Sequence, residues 1–316
     1  MLLSKILLRA PRQGGRRAFH TDTGYGLLFK KNRTAFSMGV RDGRVESTET
    51  RPQPTSGART DSSETCLAFK PGPSPNEVRL THHPSGETVD LPPLARLSKV
   101  LQMESWGAAG HKVVVYFPPD PYALERKDEF HVITVGDESW RVVLSEPRVS
   151  AFAPALITEG FVHWSTKDDK VLSMNLETEA FTESPGPAPK PAPRPARDDD
   201  SDDVIVKNTY LSTGRYLSLL RQWDNNLFEV WEMSPDTFAW KKTGHFSLVD
   251  HESKFESTDS DGAIIPIGWV KYLEVLVLCP NMRGKTILVY NLVTRKMKTI
   301  ELANSVCYYN IHTHKL

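Results

Sequence analysis

The chain has no excess of charge of either sign, because its 316 residues include 39 basic and 39 acidic side chains and the formal net charge is zero. This balance removes the broad electrostatic attraction by which many proteins bind nucleic acid or an anionic membrane surface. The sequence also lacks an apolar run of about 18 residues, which a membrane-spanning helix requires. We therefore expect neither nucleic acid nor membrane as a partner.

Cysteine is scarce, with three residues far apart in the sequence: Cys66, Cys279 and Cys307. An odd number at such spacing excludes a complete disulfide framework and does not match a zinc-binding pattern. These residues are therefore interpreted as small apolar side chains in a reducing compartment, which favours the cytoplasm or the nucleus. No metal and no other cofactor is expected.

Acidic residues are absent before Asp22, while five basic residues and an apolar stripe occupy the same stretch. This composition is typical of a mitochondrial transit peptide, although Pro11 should end any helix near Arg9. Residues 2–11 also resemble the first helix of an F-box, but residues 12–23 contain two glycines and do not continue that pattern. Both interpretations stay open. We assign residues 1–62 to a flexible, partly helical arm with a polar linker.

Residues 155–184 contain four short runs rich in β-branched and aromatic residues, separated by turn residues. Alternation over four to seven residues with such punctuation predicts four antiparallel strands. The predicted strands are Ala155–Thr158, Gly160–Trp164, Val171–Leu176 and Ala180–Glu183.

The last two strands of this unit form a hairpin pattern that recurs along the chain at intervals of roughly 40 to 60 residues, as the blades of a β-propeller do. The five copies are Asn76–Leu91, Phe130–Leu144, Val171–Glu183, Leu227–Lys242 and Ile287–Leu302. We predict an all-β propeller of four-stranded antiparallel blades over residues 63–316. Five blades are evident, and a sixth could combine Tyr25–Val40 with Val306–Ile311, which leaves the blade number open.

Large residues stand near the start of the second hairpin strand in three copies: Phe181, Trp240 and Met297. We expect them to pack between adjacent blades. Residues 185–203, with alternating prolines followed by an acidic run, cannot continue a strand and are predicted to be an extended, solvated insertion between blades.

Several segments in this order resemble the plant F-box-associated (F-box/kelch-like) β-propeller domain. They are Asn76–Leu94, Val135–Arg141, Glu159–Phe181, and Tyr216–Met233 followed by Trp240 and Lys241. The chain departs from the family pattern at His83-Pro84 and at Met174-Asn175, both beside turns.

The resemblance implies a protein-binding module that presents a protein substrate to an SCF-type ubiquitin ligase. It also implies that an apolar helix face at the amino terminus docks the ligase adaptor, for which the candidates are Leu3, Ile6, Leu7 and Leu8. The partner protein is not encoded by any motif, because such receptors bind it through variable loops.

No catalytic site is predicted. The run Cys279–Thr286 ends like a phosphate-binding loop but continues as an alternating strand, which predicts a hairpin turn. The pairs His82-His83 and His312/His314 lack a third ligand at metal-binding spacing. His163 and Trp164 point to opposite faces of a strand and are expected to pack within the blades.

The alternative function is a propeller enzyme that acts on a carbohydrate through carboxylates in a central channel. We take the innermost strands to be those containing KVVVYF, GFVHWS, RYLSLL and LEVLVL, which carry only Glu274 as an acidic residue. That scarcity of carboxylates disfavours the enzyme.

Overall fold

The computed structural model describes residues 25–31, 34–41, 44–50, 67–71, 78–82, 88–93, 102–107, 111–117, 129–145, 155–166, 168–187, 207–223, 227–254, 264–306 and 310–315. These residues form 23 strands and one short 3-10 helix, Val249–Lys254. No helix in the described ranges is long and apolar enough to cross a membrane. The fold class is the predicted one: an all-β propeller built of repeated four-stranded antiparallel blades.

The chain divides into two compact units. The first unit contains a three-stranded sheet, blade 1, and a four-stranded sheet, blade 2. Blade 1 consists of β4 (Leu67–Pro71), β5 (Val78–His82) and β6 (Thr88–Leu91). Blade 2 consists of β7 (Gln102–Gly107), β8 (His111–Phe117), β9 (Glu129–Thr134) and β10 (Arg141–Ser145).

The second unit contains four four-stranded blades. Blade 3 consists of β11 (Leu156–Thr158), β12 (Phe161–Ser165), β13 (Lys170–Asn175) and β14 (Phe181–Pro185). Blade 4 consists of β15 (Lys207–Ser212), β16 (Leu217–Gln222), β17 (Leu227–Met233) and β18 (Trp240–Ser247). Blade 5 consists of β19 (Ile265–Lys271), β20 (Val275–Cys279), β21 (Thr286–Asn291) and β22 (Lys296–Glu301).

Blade 6 joins the two ends of the described chain. Its strands β1 (Tyr25–Lys31), β2 (Thr34–Arg41) and β3 (Arg44–Thr50) pair with β23 (Asn310–Lys315) in the order β23-β1-β2-β3. The sixth unit, which the sequence left open, is therefore present. Where the arm was predicted, residues 25–31, 34–41 and 44–50 are strands of this blade, because β1 pairs with β23 and β2 and β3 extend the same sheet. Residues 1–24 lie outside the described residues.

The predicted hairpins are confirmed as antiparallel pairs β5–β6, β9–β10, β13–β14, β17–β18 and β21–β22. The four strands predicted in residues 155–184 are also found, within one or two residues of their predicted ends. The insertion starts later than expected, because Pro185 still pairs with Lys170 at the end of β14. As the last residue of an outer strand, it can do so although it has no amide hydrogen to donate. Residues 188–206 lie outside the described residues.

The turn between the third and fourth strands repeats the same chemistry in blades 3 to 5. Asn175 and Asn291 accept backbone amide hydrogens through Oδ1, and Ser234 does so through Oγ. Each turn then contains a residue with positive φ, at Glu179, Phe238 and Arg295. The side-chain acceptor replaces a backbone partner inside a tight turn, which is why Asn and Ser suit this position.

Replacing Asn175 by alanine should lower the free energy of unfolding by about 1–2 kcal/mol, because two backbone amides, of Glu177 and Thr178, lose their acceptor. Urea denaturation monitored by circular dichroism measures the change. The matched control is Thr182→Ala, a half-buried position on β14 whose loss should cost less. An Asn175 variant as stable as the control would show that the turn does not depend on this side chain.

Apolar residues are packed between neighbouring blades of the second unit. One buried cluster combines blade 4 residues such as Phe228 with blade 5 residues such as Trp269, and Met297 packs against it. Another joins Val171 of blade 3 to Leu217 and Met233 of blade 4, with Trp240 packed beside it. The expected inter-blade packing is confirmed for Trp240 and Met297, whereas Phe181 stacks on Trp164 of its own blade.

Candidate partner-binding surface

The turns between first and second strands of blades 3, 4 and 5 lie side by side. The turn of blade 4 contacts that of blade 3 through a parallel bridge between Thr158 and Gly214. It meets the turn of blade 5 where the rings of Tyr216 and Tyr272 lie 6.3 Å apart. We call the group Glu159, Arg215, Tyr216 and Tyr272 the Arg–Tyr surface.

The β15–β16 turn is held rigidly by hydrogen bonds. Thr213 Oγ1 accepts from the Tyr216 amide at 2.8 Å, and the Thr213 amide donates to the Tyr216 carbonyl at 2.9 Å. Ser212 Oγ donates to the Ile157 carbonyl of blade 3 and accepts from the Gly214 amide. Gly214 has φ of 83°, a backbone conformation that glycine adopts without strain. Arg215 is therefore presented from a turn with little freedom.

Arg215 is the exposed cation of this surface. Its side chain is 56% exposed, and its guanidinium lies 5.1 Å from the centre of the Tyr216 ring. Its Nε is 3.9 Å from Glu159 Oε2, whose side chain is 72% exposed. Such a solvent-screened ion pair contributes little to stability. The guanidinium is thus oriented by stacking and stays accessible to a partner's carboxylate or carbonyl groups.

Tyr272 supports the surface from blade 5. Its hydroxyl donates to Glu232 Oε2 at 2.7 Å, and its ring meets Trp269 edge-on at 5.4 Å. Burial raises the pKa of the Tyr272 hydroxyl, and the Glu232 carboxylate raises it further. The phenol therefore stays protonated and serves as a hydrogen-bond donor that locks the ring in place.

The Arg–Tyr surface combines the residue types that supply most of the binding energy at protein interfaces. Tyrosine is enriched at such positions because its ring buries a large area with few rotatable bonds, and arginine because its guanidinium forms several hydrogen bonds at once. The sequence did not single out these residues. Their only signal is that the turn between the first and second strands contains a tyrosine in two blades, Tyr216 in Thr213–Tyr216 and Tyr272 in Lys271–Glu274.

His163 and Trp164 are packing residues, as predicted, being 3% and 2% exposed. His163 has a further role that the sequence did not indicate. Its Nε2 and Nδ1 lie 2.8 Å from the hydroxyls of Thr158 and Ser173, so one ring links three strands of blade 3. Burial lowers the pKa of His163 to about 3, which keeps the ring neutral. With no solvent access, this chain of hydroxyl and imidazole groups is structural.

The run Cys279–Thr286 is a hairpin connection, as predicted, because β20 and β21 pair antiparallel on either side of it. Cys279 is buried in an apolar cluster, which confirms its assignment as an apolar side chain. Among the described residues no group of three or more His, Cys, Asp or Glu is placed to hold a metal ion.

Several predicted residues fall outside the described part of the chain. The proposed adaptor contacts Leu3, Ile6, Leu7 and Leu8 all do so, as do Cys66, His83 and Cys307. Of His82, His312 and His314 the structure describes the strand backbone only.

The assignment of innermost strands is wrong. The four apolar strands taken as innermost are β8, β12, β16 and β20, which are the second strands of their sheets. Blades 3, 4 and 5 contact one another through their first strands β11, β15 and β19. Second strands are apolar because neighbouring blades cover both of their faces, as the fully buried β16 and β20 show. The first strands of blades 3 to 5 also carry no Asp or Glu.

Comparison with known proteins adds little to this description. No protein-family model and no curated protein matches the chain. Similar solved structures include oligogalacturonate lyase in complex with manganese (TM-score 0.45, 8% identity, 87% of this chain and 77% of that chain). Oligogalacturonate lyase from Vibrio parahaemolyticus has a TM-score of 0.45 and 8% identity, over 87% of this chain and 79% of that chain.

A third similar structure is a chain of an S. cerevisiae assembly of Dbp5 bound to Nup159, Gle1, IP6 and ADP. Its TM-score is 0.41 at 10% identity, covering 87% of this chain and 67% of that chain. At these values none of the three similarities supports an inference about function.

Proposed function

We propose that this chain is a protein-binding propeller that presents a protein substrate to an SCF-type ubiquitin ligase. The observation that carries the binding role is the Arg–Tyr surface, where an exposed arginine lies beside the half-buried rings of two tyrosines at turns of adjacent blades. The ligase role rests on the resemblance of the sequence to plant F-box-associated domains. Loops held by a rigid scaffold are where binding residues commonly lie.

In this function two separate parts of the protein bind two different partners. The Arg–Tyr surface binds the substrate protein, and the amino-terminal segment with Leu3, Ile6, Leu7 and Leu8 binds the ligase adaptor. The odd number and wide spacing of the three cysteines fit a reducing compartment, and we place the protein in the cytoplasm or nucleus.

The substrate-binding role is tested with the full-length tagged chain and its Arg215→Glu/Tyr216→Ala variant. Proteins captured from tissue extract are quantified by mass spectrometry, and at least one should be recovered roughly 10- to 30-fold less with the variant. Lys298→Glu, an exposed charge reversal on β22 of blade 5, is the matched control and should recover the same proteins as the wild type.

The ligase role is tested separately with a purified SCF adaptor subunit. Full-length chain should bind the adaptor, and replacing the four amino-terminal apolar residues by serine should abolish binding. No adaptor binding by the full-length chain would refute the ligase role while leaving the substrate-binding role in place. An unchanged set of captured proteins with the surface variant would refute the binding role.

A further inference from the structure

Blade 4 holds the end of blade 3 at a second place, distinct from the Arg–Tyr surface. Trp240 Nε1 donates to the carbonyl oxygen of Pro185 at 3.0 Å. The guanidinium of Arg221 donates through its NH2 group to the carbonyl oxygen of Pro187. Two donors of one blade thus bind the carbonyls of alternate residues in an extended segment. We call Tyr210, Arg221 and Trp240 the proline seam.

The donors of the proline seam are held in place by contacts within blade 4 in addition to those with the segment. Arg221 is 2% exposed, and its guanidinium lies between the rings of Trp223 and Trp231, 5.9 Å and 5.6 Å from their centres. Its Nε donates to Asn208 Oδ1 at 3.3 Å. The ring of Tyr210 packs on that of Trp240 at 5.9 Å. A buried guanidinium needs acceptors for its remaining hydrogens, and a peptide carbonyl supplies one.

The chemistry of the seam matches an extended segment that contains proline. Such a segment offers carbonyl acceptors, and each proline removes an amide hydrogen that would otherwise need a partner. Proline also fixes the extended conformation in advance, which lowers the entropy lost on binding. Aromatic grooves with a donor recognise proline-rich segments in this way.

Gly186 occupies a tight place in the bound segment. A Cβ atom there would lie 2.6 Å from the carbonyl oxygen of Asp169 and 3.3 Å from the hydroxyl of Tyr210. The Tyr210 hydroxyl is buried and has no hydrogen-bond partner in the described part of the chain. Burial raises its pKa to about 12, and Asp169 adds to the rise. The Tyr210 hydroxyl therefore stays protonated, and it can donate a hydrogen bond to a peptide that binds the seam in a different position.

We propose that the proline seam is a binding site for an extended, proline-containing peptide, and that Pro185–Pro187 of the same chain occupies it in this structure. A segment of a partner protein reaches the seam by displacing the chain's own. The site goes beyond the proposed function and uses none of the residues of the Arg–Tyr surface, so the two are tested independently.

The test uses a fluorescein-labelled peptide with the sequence of residues 183–191, ESPGPAPKP, added to the full-length chain. In Gly186→Ala the new methyl group pushes the chain's own segment away from Asp169 and from the Tyr210 hydroxyl, while none of the three seam residues is itself substituted. This variant should bind the peptide with a dissociation constant of about 100 μM, and the wild type at least ~10-fold more weakly. Fluorescence anisotropy measures both.

Two controls identify the contacts. Adding Trp240→Phe to Gly186→Ala keeps an aromatic ring but removes the indole donor, and should weaken peptide binding by about 10-fold. A peptide with alanine in place of each proline should also bind several-fold more weakly. If Gly186→Ala does not fold, Pro187→Gly serves instead, because it loosens the segment without adding an atom to the seam.

Equal dissociation constants of the peptide for the wild type and the folded variant would show that the chain's own segment does not compete for the site. Absence of binding to the folded variant would show that the seam is not a peptide site. Either result overturns the proposal. Selective binding to the variant, with loss on Trp240→Phe, supports it.

Discussion

Replacing Trp269 by alanine is expected to lower the free energy of unfolding by about 3–5 kcal/mol. Its side chain is 1% exposed and belongs to the apolar cluster between blades 4 and 5. Its Nε1 donates to Ser218 Oγ at 2.9 Å, and Ser218 Oγ in turn donates to the Leu211 carbonyl. The variant loses apolar packing, leaves a cavity and breaks a bond between two blades. The loss is a large fraction of the 5–15 kcal/mol that stabilises a typical domain.

Urea denaturation followed by circular dichroism measures this effect. Ser218→Ala separates the hydrogen bond from the packing, and should cost about 1–3 kcal/mol because the indole donor stays buried without a partner. Val249→Ala, at a position 56% exposed, is the control for loss of apolar atoms and should change stability by less than about 0.5 kcal/mol. A Trp269 variant within about 1 kcal/mol of the wild type would contradict the assigned role of this ring.

The second large effect is a loss of stability in acid caused by His163. Burial lowers the pKa of His163 from 6.5 to about 3 in the folded chain. Between these two values the unfolded chain binds a proton that the folded chain does not. Stability from this group is therefore present above pH 6.5 and is lost as the pH falls toward 3, by about 1.4 kcal/mol per pH unit.

The free energy of unfolding should thus be about 2–3 kcal/mol lower at pH 4.5 than at pH 6.5 from this histidine alone. Urea denaturation at several pH values in this range gives the slope of the unfolding free energy against pH. His163→Gln should reduce that slope by about 1.4 kcal/mol per pH unit, the contribution of one proton. His245→Gln, which changes an exposed histidine on β18, is the matched control and should keep the slope of the wild type. An unchanged slope in His163→Gln would contradict a buried neutral imidazole.

Much of the fold could be predicted because hairpins are local. In residues 155–184 the alternation of apolar residues and the turn chemistry both lie within a few positions, so four strands could be placed closely. The same reasoning failed for the innermost strands. A strand covered on both faces looks as apolar as a strand at the centre of a propeller, and only the pairing order distinguishes them.

The residues of the candidate site could not be grouped together from the sequence. Arg215 and Tyr272 are more than 50 residues apart and belong to different blades, so no local pattern connects them. His163 was correctly assigned to packing, but its hydroxyl partners Thr158 and Ser173 lie on neighbouring strands and depend on strand register. Register is set by cross-strand pairing, which single-residue preferences do not specify.

The sequence by itself determined that this chain is a repeated all-β structure with Pro-rich material between two blades, since strand period and turn residues are local properties. The sequence left a sixth blade open, and only the tertiary structure decided that Tyr25–Lys31 pairs with the carboxyl-terminal strand to form it. It alone also decided that Pro185 and Pro187 meet donors of the next blade, and that an arginine and two tyrosines share one surface. Each of these depends on contacts between residues far apart in the chain, which form only when the blades are assembled side by side.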